Sequence, residues 1–218
     1  MSRNIQQQSK IHISYLKLFW LFMIGSLLGV ILEGLFCYFR YGNWETHVVS
    51  IWEPFCILYG FGAAGFYVCH VILCHKNKYL QFLIYCIIGF TIELLGGYIL
   101  EFGLHMRAWN YTDHFLNFRG YVSLQMTILW GFVGTAFSYF APSIEKVLKK
   151  MESSKWKVAC YMLTVFMIVN FLLTSVSIIR WKDRHFDIPA QNTFEQFIDR
   201  TYDDTFMSNR FCEWSFLN

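Results

Sequence analysis

The sequence predicts an all-α integral membrane protein, a polytopic bundle of five transmembrane helices with an amphipathic C-terminal tail. Of its 218 residues, 56% are hydrophobic and 15% are charged, whereas soluble domains carry about 25% charged residues. Five apolar blocks each reach on the order of 20 residues, which at about 1.5 Å per residue crosses a ~30 Å hydrocarbon layer. A pattern shared by the first and third blocks, and another shared by the second and fourth, predicts two tandem hairpins.

The five blocks define the predicted spans, at residues 15–38, 55–74, 80–100, 122–140 and 156–179. The first is too long for a signal-peptide core and no small-residue cleavage site follows it, so we predict a retained span. The chain therefore divides into a transmembrane bundle over residues 1–180 and an interfacial tail over residues 181–218. Seven cysteines form no CxxC pair and are interpreted as apolar packing residues.

An internal repeat is predicted over residues 15–74 and 80–140. Gly29-Val-Ile-Leu-Glu33 matches Gly97-Tyr-Ile-Leu-Glu101, a shift of 68 positions (101 minus 33). The stretch around Tyr59 matches the stretch around Trp130, a shift of 71 positions (130 minus 59). Copies of two spans keep one membrane orientation, so an axis along the membrane normal should relate them. Chance similarity between Gly- and Leu-rich helices is the alternative.

Basic residues predict a cytoplasmic N-terminus and an external C-terminus in the cell membrane. The positive-inside rule assigns the segments richer in Lys and Arg to the cytoplasm. The ten inside positions would be Arg3, Lys10, Lys17, Lys76, Lys78, Lys146, Lys149, Lys150, Lys155 and Lys157, against Arg40, Arg107 and Arg119 in the two outer loops. Arg180, Lys182 and Arg184 follow the fifth span and would lie outside, against this trend.

Three carboxylates inside predicted spans are the main candidates for function. Glu33, Glu93 and Glu101 would all lie in the outer halves of their helices, and Glu53 would begin the second span on the same side. Ionisable residues at membrane depth are costly and usually face a bundle interior. Glycines spaced by four on the same helices would allow close packing and bring the acids together. We expect one outward-opening acidic site.

The outer loop and the tail supply the other candidate residues. Residues 102–121 are rich in aromatic and turn-forming residues and are interpreted as a lid over the outer mouth or, alternatively, as an aromatic belt. A capping box at Thr193–Gln196 predicts a short amphipathic helix that lies on the membrane or the lid. Arg180 and Arg184 could face the outer carboxylates or extend to the interface. The predicted substrate-binding residues are Glu33, Glu93, Glu101, Tyr59, Trp109, Asn117, Trp130, Arg180 and Arg184.

The sequence lacks the motifs that mark several common enzyme chemistries. The sequence has no GxxxxGK[ST] phosphate loop, no HExxH zinc motif and no GxSxG nucleophile elbow. We predict no metal site and no nucleic-acid partner, and the sequence leaves the catalytic residues and the cofactor unknown. Oxygen-rich acids would suit a hard cation or a cationic or hydroxyl-bearing organic ligand.

From about Phe19 to the C-terminus, the chain resembles the bacterial CmpB-like permeases, the ABC-transporter type IV family. The matching landmarks are Gly29 with Glu33, Pro54-Phe55-Cys56, Tyr59-Gly60-Phe61-Gly62, Glu93 with Glu101, Trp109, Tyr111, Asn117, Gly120, Trp130-Gly131, Arg180, Arg184, Pro189, Asn192, Asp199, Tyr202, Asp204, Met207 and Arg210-Phe211. The chain departs from the family pattern at Val30, Glu53 and Asn110, where the family has Trp, Gly and Asp. The resemblance implies a multi-pass permease and, without an ATP-binding motif here, a separate ATPase chain for any ATP-driven role.

Three hypotheses about function follow. The first is a permease or solute-binding membrane subunit, which with five spans would need a homo-oligomer or other membrane subunits in the bilayer. The second is a membrane enzyme acting on a lipid-linked substrate, with one of the acids as general acid or base. The third is a non-catalytic assembly or sensor protein whose acids pair with Arg180 and Arg184.

Overall fold

The computed structural model describes residues 12–42, 44, 48–52 and 54–217. Arg3, Lys10 and Glu53, which entered the sequence predictions, lie outside these residues. The prediction of an all-α protein is confirmed at the level of fold class, because helices occupy all five predicted blocks and the described strands are only two residues long.

The five long helices begin and end close to the apolar blocks. They are α1 (Tyr15–Tyr41), α2 (Ile57–Leu73), α3 (Lys78–Tyr98), α4 (Leu124–Lys150) and α5 (Ser154–His185). Local polar residues start several of them, because an N-cap side chain accepts a bond from a backbone amide of the first turn. Ser14 caps α1, Asn77 caps α3 and Ser123 caps α4. Gly42 ends α1 in the left-handed conformation, with φ 79°.

Among the residues that the structure describes, three segments are long and apolar enough to cross a membrane, at Tyr15–Phe39, Lys78–Gly103 and Ser154–His185. Helix α2 is apolar but has 17 residues. Helix α4 runs ten residues beyond the predicted end at Phe140 (150 minus 140) and acquires Glu145 and the lysines of the next segment. The count of five spans therefore stays a prediction.

Glycines set the packing inside two helical hairpins, α1 with α2 and α3 with α4. A Cβ atom on Gly29 would overlap the ring of Tyr59, and one on Gly89 would overlap the ring of Trp130. In each hairpin the glycine lies one turn before an acid, Glu33 or Glu93. The missing side chains therefore let an aromatic ring of the second helix lie directly against the backbone of the first.

The remaining small-residue contacts of the two hairpins follow the same scheme. Gly60 packs against Phe22 and Ser26 of α1, whereas Gly131 packs against Phe82 and Cys86 of α3. One level further in, the two hairpins differ, because the first pairs two small residues and the second pairs a large residue with a small one. There Gly25 meets Ala63 in the first hairpin and Tyr85 meets Gly134 in the second.

A small unit, here called the cap, joins the loop after α3 to the tail. Helix α3 continues into a π-helical turn (Ile99–Gly103), and then strand β1 (Met106–Arg107) pairs with β4 (Ser215–Phe216) near the C-terminus. Strands β2 (Asn117–Phe118) and β3 (Val122–Ser123) form a second antiparallel pair within the loop. The buried residues of the cap include Ile51, Met106, Ile178, Trp181, Ile198, Tyr202, Met207 and Phe211.

The tail forms two short helices, α6 (Thr193–Thr201) and α7 (Asp204–Arg210). Asn192, not Thr193, is the N-cap of α6, so the predicted capping box was wrong by one residue. The Asn192 side chain accepts from the Glu195 amide at 2.9 Å, and Glu195 accepts from the Gln191 amide at 2.6 Å. Asn is a more favourable N-cap residue than Thr, which explains why the helix begins one residue earlier than the sequence predicts. Ile198 faces the cap core, while Phe194 and Phe197 are exposed.

Candidate functional site

Glu93 is the most deeply buried of the predicted acids. Its residue is 5% exposed, on the face of α3 that packs against α4. The Trp130 indole donates to Oε1 at 3.0 Å, and the Tyr111 hydroxyl donates to the same oxygen at 3.4 Å. The other oxygen, Oε2, is buried without a hydrogen-bond partner among the described residues.

Glu33 belongs to the same polar cluster, through two tyrosines. It interacts with the hydroxyl of Tyr59 on α2 and electrostatically with Tyr111 in the loop. The rings of Tyr59 and Trp130 lie 5.9 Å apart. Tyr111 is thus the loop residue that approaches both carboxylates, and burial first, then Glu93 and Glu33, raises its pKa well above the ordinary value. We call Glu33, Tyr59, Glu93, Tyr111 and Trp130 the outer acidic cluster.

Glu101 does not join this cluster, which corrects the expectation of one site for all three acids. Its Oε2 accepts from Arg107 at 2.7 Å, and its Oε1 lies 3.7 Å from Arg119. Both arginines belong to the outer loop, so Glu101 attaches this loop to the end of α3. The physical reason is helix geometry, because eight residues of helix separate Glu101 from Glu93 by about 12 Å.

Trp109 and Asn117 build the loop rather than the cluster. The Trp109 indole donates to the Tyr121 carbonyl at 2.7 Å, and its ring packs against Gly96 of α3. The Asn117 amide donates to the carbonyls of Thr112 and His114 at 2.8 and 3.0 Å. These contacts hold the turn that carries Tyr111. We call residues 104–121 the lid loop from here on.

Arg180 and Arg184 pair with acids of the tail and not with the outer carboxylates. Arg180 donates to Asp199 at 3.0 and 2.8 Å and lies 3.3 Å from Asp183. Arg184 donates to Asp199 at 2.5 Å and to Asp204 at 2.7 Å. The hydrogen bond from Arg180, then the proximity of Arg184, lowers the pKa of Asp199. Helix α5 extends beyond the predicted end at Ile179, so both arginines point into the cap.

Sequence reasoning missed a second buried cluster, at the opposite end of the bundle. Lys17 of α1 and Glu145 of α4 form an ion pair at 2.5 Å, with residue exposures of 4% and 8%. The Tyr67 hydroxyl of α2 donates to the other Glu145 oxygen at 2.8 Å. In the sequence prediction, Lys17 counts only among the inside basic residues and Glu145 has no role. The available signal was the helical pattern beyond Phe140, which continues to Lys150.

The outer acidic cluster presents carboxylates, phenols and an indole, and therefore suits a proton, a cation or a hydrogen-bond donor. Over the residues that the structure describes, no group of three or more His, Cys, Asp or Glu side chains could hold a metal ion. The two clusters differ in their pairing, because Glu145 has partners on both oxygens and Glu93 has them on one.

The long apolar helices and the buried carboxylates indicate an integral membrane protein. A family model described as "Putative ABC-transporter type IV" matches residues 20–175, more than half of the chain, so the protein belongs to this family and the predicted resemblance is confirmed. No curated protein and no solved structure gives a significant match.

Proposed function

We propose that the protein is a permease or solute-binding membrane subunit whose outward-facing acidic site is the outer acidic cluster. The observation that carries this proposal is the approach of one loop residue, Tyr111, to carboxylates on two different hairpins. A loop that contacts both acids can cover or expose them together. The family membership supports transport and suggests a separate ATPase chain as a partner.

The proposed site includes Glu33, Tyr59, Glu93, Trp130 and Tyr111. In this proposal Trp109 and Asn117 shape the loop, and Arg180, Arg184 and Glu101 hold the cap in place. The acids would bind a small polar or cationic solute, and the aromatic rings would add cation–π attraction.

The bundle would cross the membrane five times as two tandem hairpins and a fifth helix. The glycine contacts support the repeat but in a different register from the sequence match. Glu93 takes the place of Glu33 at a shift of 60 positions (93 minus 33), and Trp130 takes the place of Tyr59 at 71 (130 minus 59). A rotation that superposes the two hairpins with Glu33 on Glu101 instead would contradict this register.

A single comparison tests the proposed function. Wild type, Glu93→Gln and the control Asp113→Asn would be purified with their lipids, examined by native mass spectrometry, and reconstituted for uptake from a mixture of small polar and cationic solutes. Asp113 is an exposed carboxylate of the lid loop, and its replacement by Asn removes one negative charge, as Glu93→Gln does.

We expect wild type and Asp113→Asn to retain or take up the same solute and Glu93→Gln to lose it, with unchanged yield. Equal retention and uptake by all three proteins, or turnover of a bound lipid without transport, would refute the permease proposal. Turnover of a bound lipid would instead favour the hypothesis of a membrane enzyme that acts on a lipid-linked substrate. An ATPase chain that copurifies with wild type would identify the energy source.

A further inference from the structure

We propose that Glu93 is a proton-binding carboxyl and that its proton controls whether the lid loop is closed. This inference rests on the proposed function, because it names the coupling ion of the same site. It starts from the arrangement around one carboxyl group. Both available donors, the Trp130 indole and the Tyr111 hydroxyl, contact Oε1, and Oε2 is buried without a partner among the described residues.

An ionised carboxylate needs more than this environment supplies. Its charge is spread over both oxygens, and a buried charged oxygen without a donor or counter-ion is strongly destabilising. Among residues 12–42, 44, 48–52 and 54–217, no Lys or Arg forms a salt bridge with Glu93. A proton on Oε2 removes the charge and leaves Oε1 as the acceptor of both observed hydrogen bonds.

The packing around the acid favours a proton over a larger ligand in the closed state. Gly89, one turn before Glu93 on α3, has the Trp130 ring directly against its backbone, and Gly97, one turn after, has the Tyr121 ring against it. These rings occupy the space on both sides of the carboxyl group along the helix.

The closed lid and the neutral acid support one another. Among the described residues, Tyr111 contributes the only hydrogen bond from the loop to Glu93. Burial together with Glu93 and Glu33 raises the pKa of Tyr111, so its hydroxyl remains a donor at neutral pH. Loss of the proton from Oε2 to the outer solution would leave a charged oxygen that, among the described residues, has no donor, so that water must supply one. Water reaches it when Tyr111 and its loop move away. Rebinding of one proton from the same solution reverses the step.

The other titratable groups around Glu93 must be separated from it in any test. Glu33 of α1 and Tyr59 of α2 face the same cluster. In the lid, the imidazole ring of His114 lies 5.1 Å from the Tyr111 ring. Arg107 is held by Glu101 at the far side of the loop. Glu93→Gln leaves all of these unchanged and keeps an oxygen acceptor for both donors.

The first test measures the proton directly. Infrared spectroscopy of the full chain in lipid nanodiscs detects the carbonyl stretch of a protonated carboxylic acid. We expect this band at neutral pH in wild type, its loss on deprotonation at higher pH, and its absence in Glu93→Gln. The control Glu101→Gln should keep it, because Glu101 is ion-paired. A band that survives in Glu93→Gln, or a wild type without one at neutral pH, overturns the proposal.

The second test measures the lid. Hydrogen exchange of the amides in residues 109–121 would be compared between wild type and Glu93→Gln at each pH, which cancels the intrinsic pH dependence of exchange. Once the infrared band is lost, we expect these amides to exchange at least tenfold faster in wild type than in Glu93→Gln at the same pH. Glu93→Gln should show no such acceleration. Equal exchange in the two proteins at every pH overturns the coupling. Both readouts are independent of uptake, so a failed uptake assay leaves them interpretable.

Discussion

Gly89 shows at the scale of one residue how closely the second hairpin packs. Its backbone touches the Trp130 ring, which in turn holds Glu93 through the indole hydrogen bond. Gly103, six residues after Gly97 (103 minus 97), has open space around it. The two glycines therefore form a matched pair, one required by packing and one not.

Gly89→Ala should destabilise the protein, because the added methyl group must displace a buried ring. We expect a loss of about 1–3 kcal/mol, the usual cost of overpacking. Thermal unfolding of the purified protein in detergent measures it. Gly103→Ala is the control and should change stability by less than about 0.5 kcal/mol. Equal stability of both variants would show that Trp130 does not pack on α3 as described.

At the scale of helices, the Lys17–Glu145 pair joins the beginning of α1 to the last third of α4. Tyr67 of α2 completes it, so three helices of the bundle meet at one buried charge pair. The net stabilisation from such a pair is small, but removal of one partner leaves a buried charge without compensation.

Lys17→Met should therefore cost about 3–5 kcal/mol, measured by thermal unfolding in detergent. The double variant Lys17→Met with Glu145→Leu removes both charges and should recover most of the loss. If the double variant is as unstable as the sum of the two single variants, the pair is not coupled in the way that the distance implies.

Asp199 performs the corresponding role between α6 and α5. It accepts hydrogen bonds from Arg180 and Arg184, and its pKa is lowered by them. Because the pKa of Asp199 is lower in the folded state, its ion pairs stabilise the cap at pH values above the ordinary pKa of about 3.9. This stabilisation is lost as the pH falls through the folded-state pKa.

Asp199→Asn should loosen the cap by about 1.5–3 kcal/mol at neutral pH, because Arg180 is 3% exposed and would lose its closest carboxylate. Faster hydrogen exchange over residues 193–211 would report it. The exposed Asp187, with φ 56°, provides the control, since Asn tolerates the left-handed conformation that Asp187→Asn requires. Unchanged hydrogen exchange of the cap amides in Asp199→Asn would contradict the docking of α6 on α5.

At the scale of the whole molecule, orientation decides whether the outer acidic cluster faces the outside. The lid loop and the tail lie in one cap, joined by the β1–β4 pair, so they must be on the same side of the membrane. The Lys and Arg distribution predicts that this side is external.

Single cysteines at Thr112 and Ser208, in a background without other cysteines, should both react with an impermeant thiol reagent in intact cells. Both positions are exposed, on the lid loop and on α7 respectively. A cysteine at Lys149, near the inner end of α4, should react only after lysis. Labelling of Thr112 and Ser208 only after lysis would reverse the predicted topology.

The sequence by itself determined the protein class, the helical fold, the approximate helix positions and the family. These depend on local properties, namely apolar length, capping residues and short motifs. Tertiary structure alone decided which charges meet. Glu33 and Glu93 share Tyr111 while Glu101 binds the lid arginines, Lys17 finds Glu145, and Arg180 turns toward Asp199. These partners are distant in the chain or are selected by the face of a helix, and spacing alone cannot specify which distant faces come into contact.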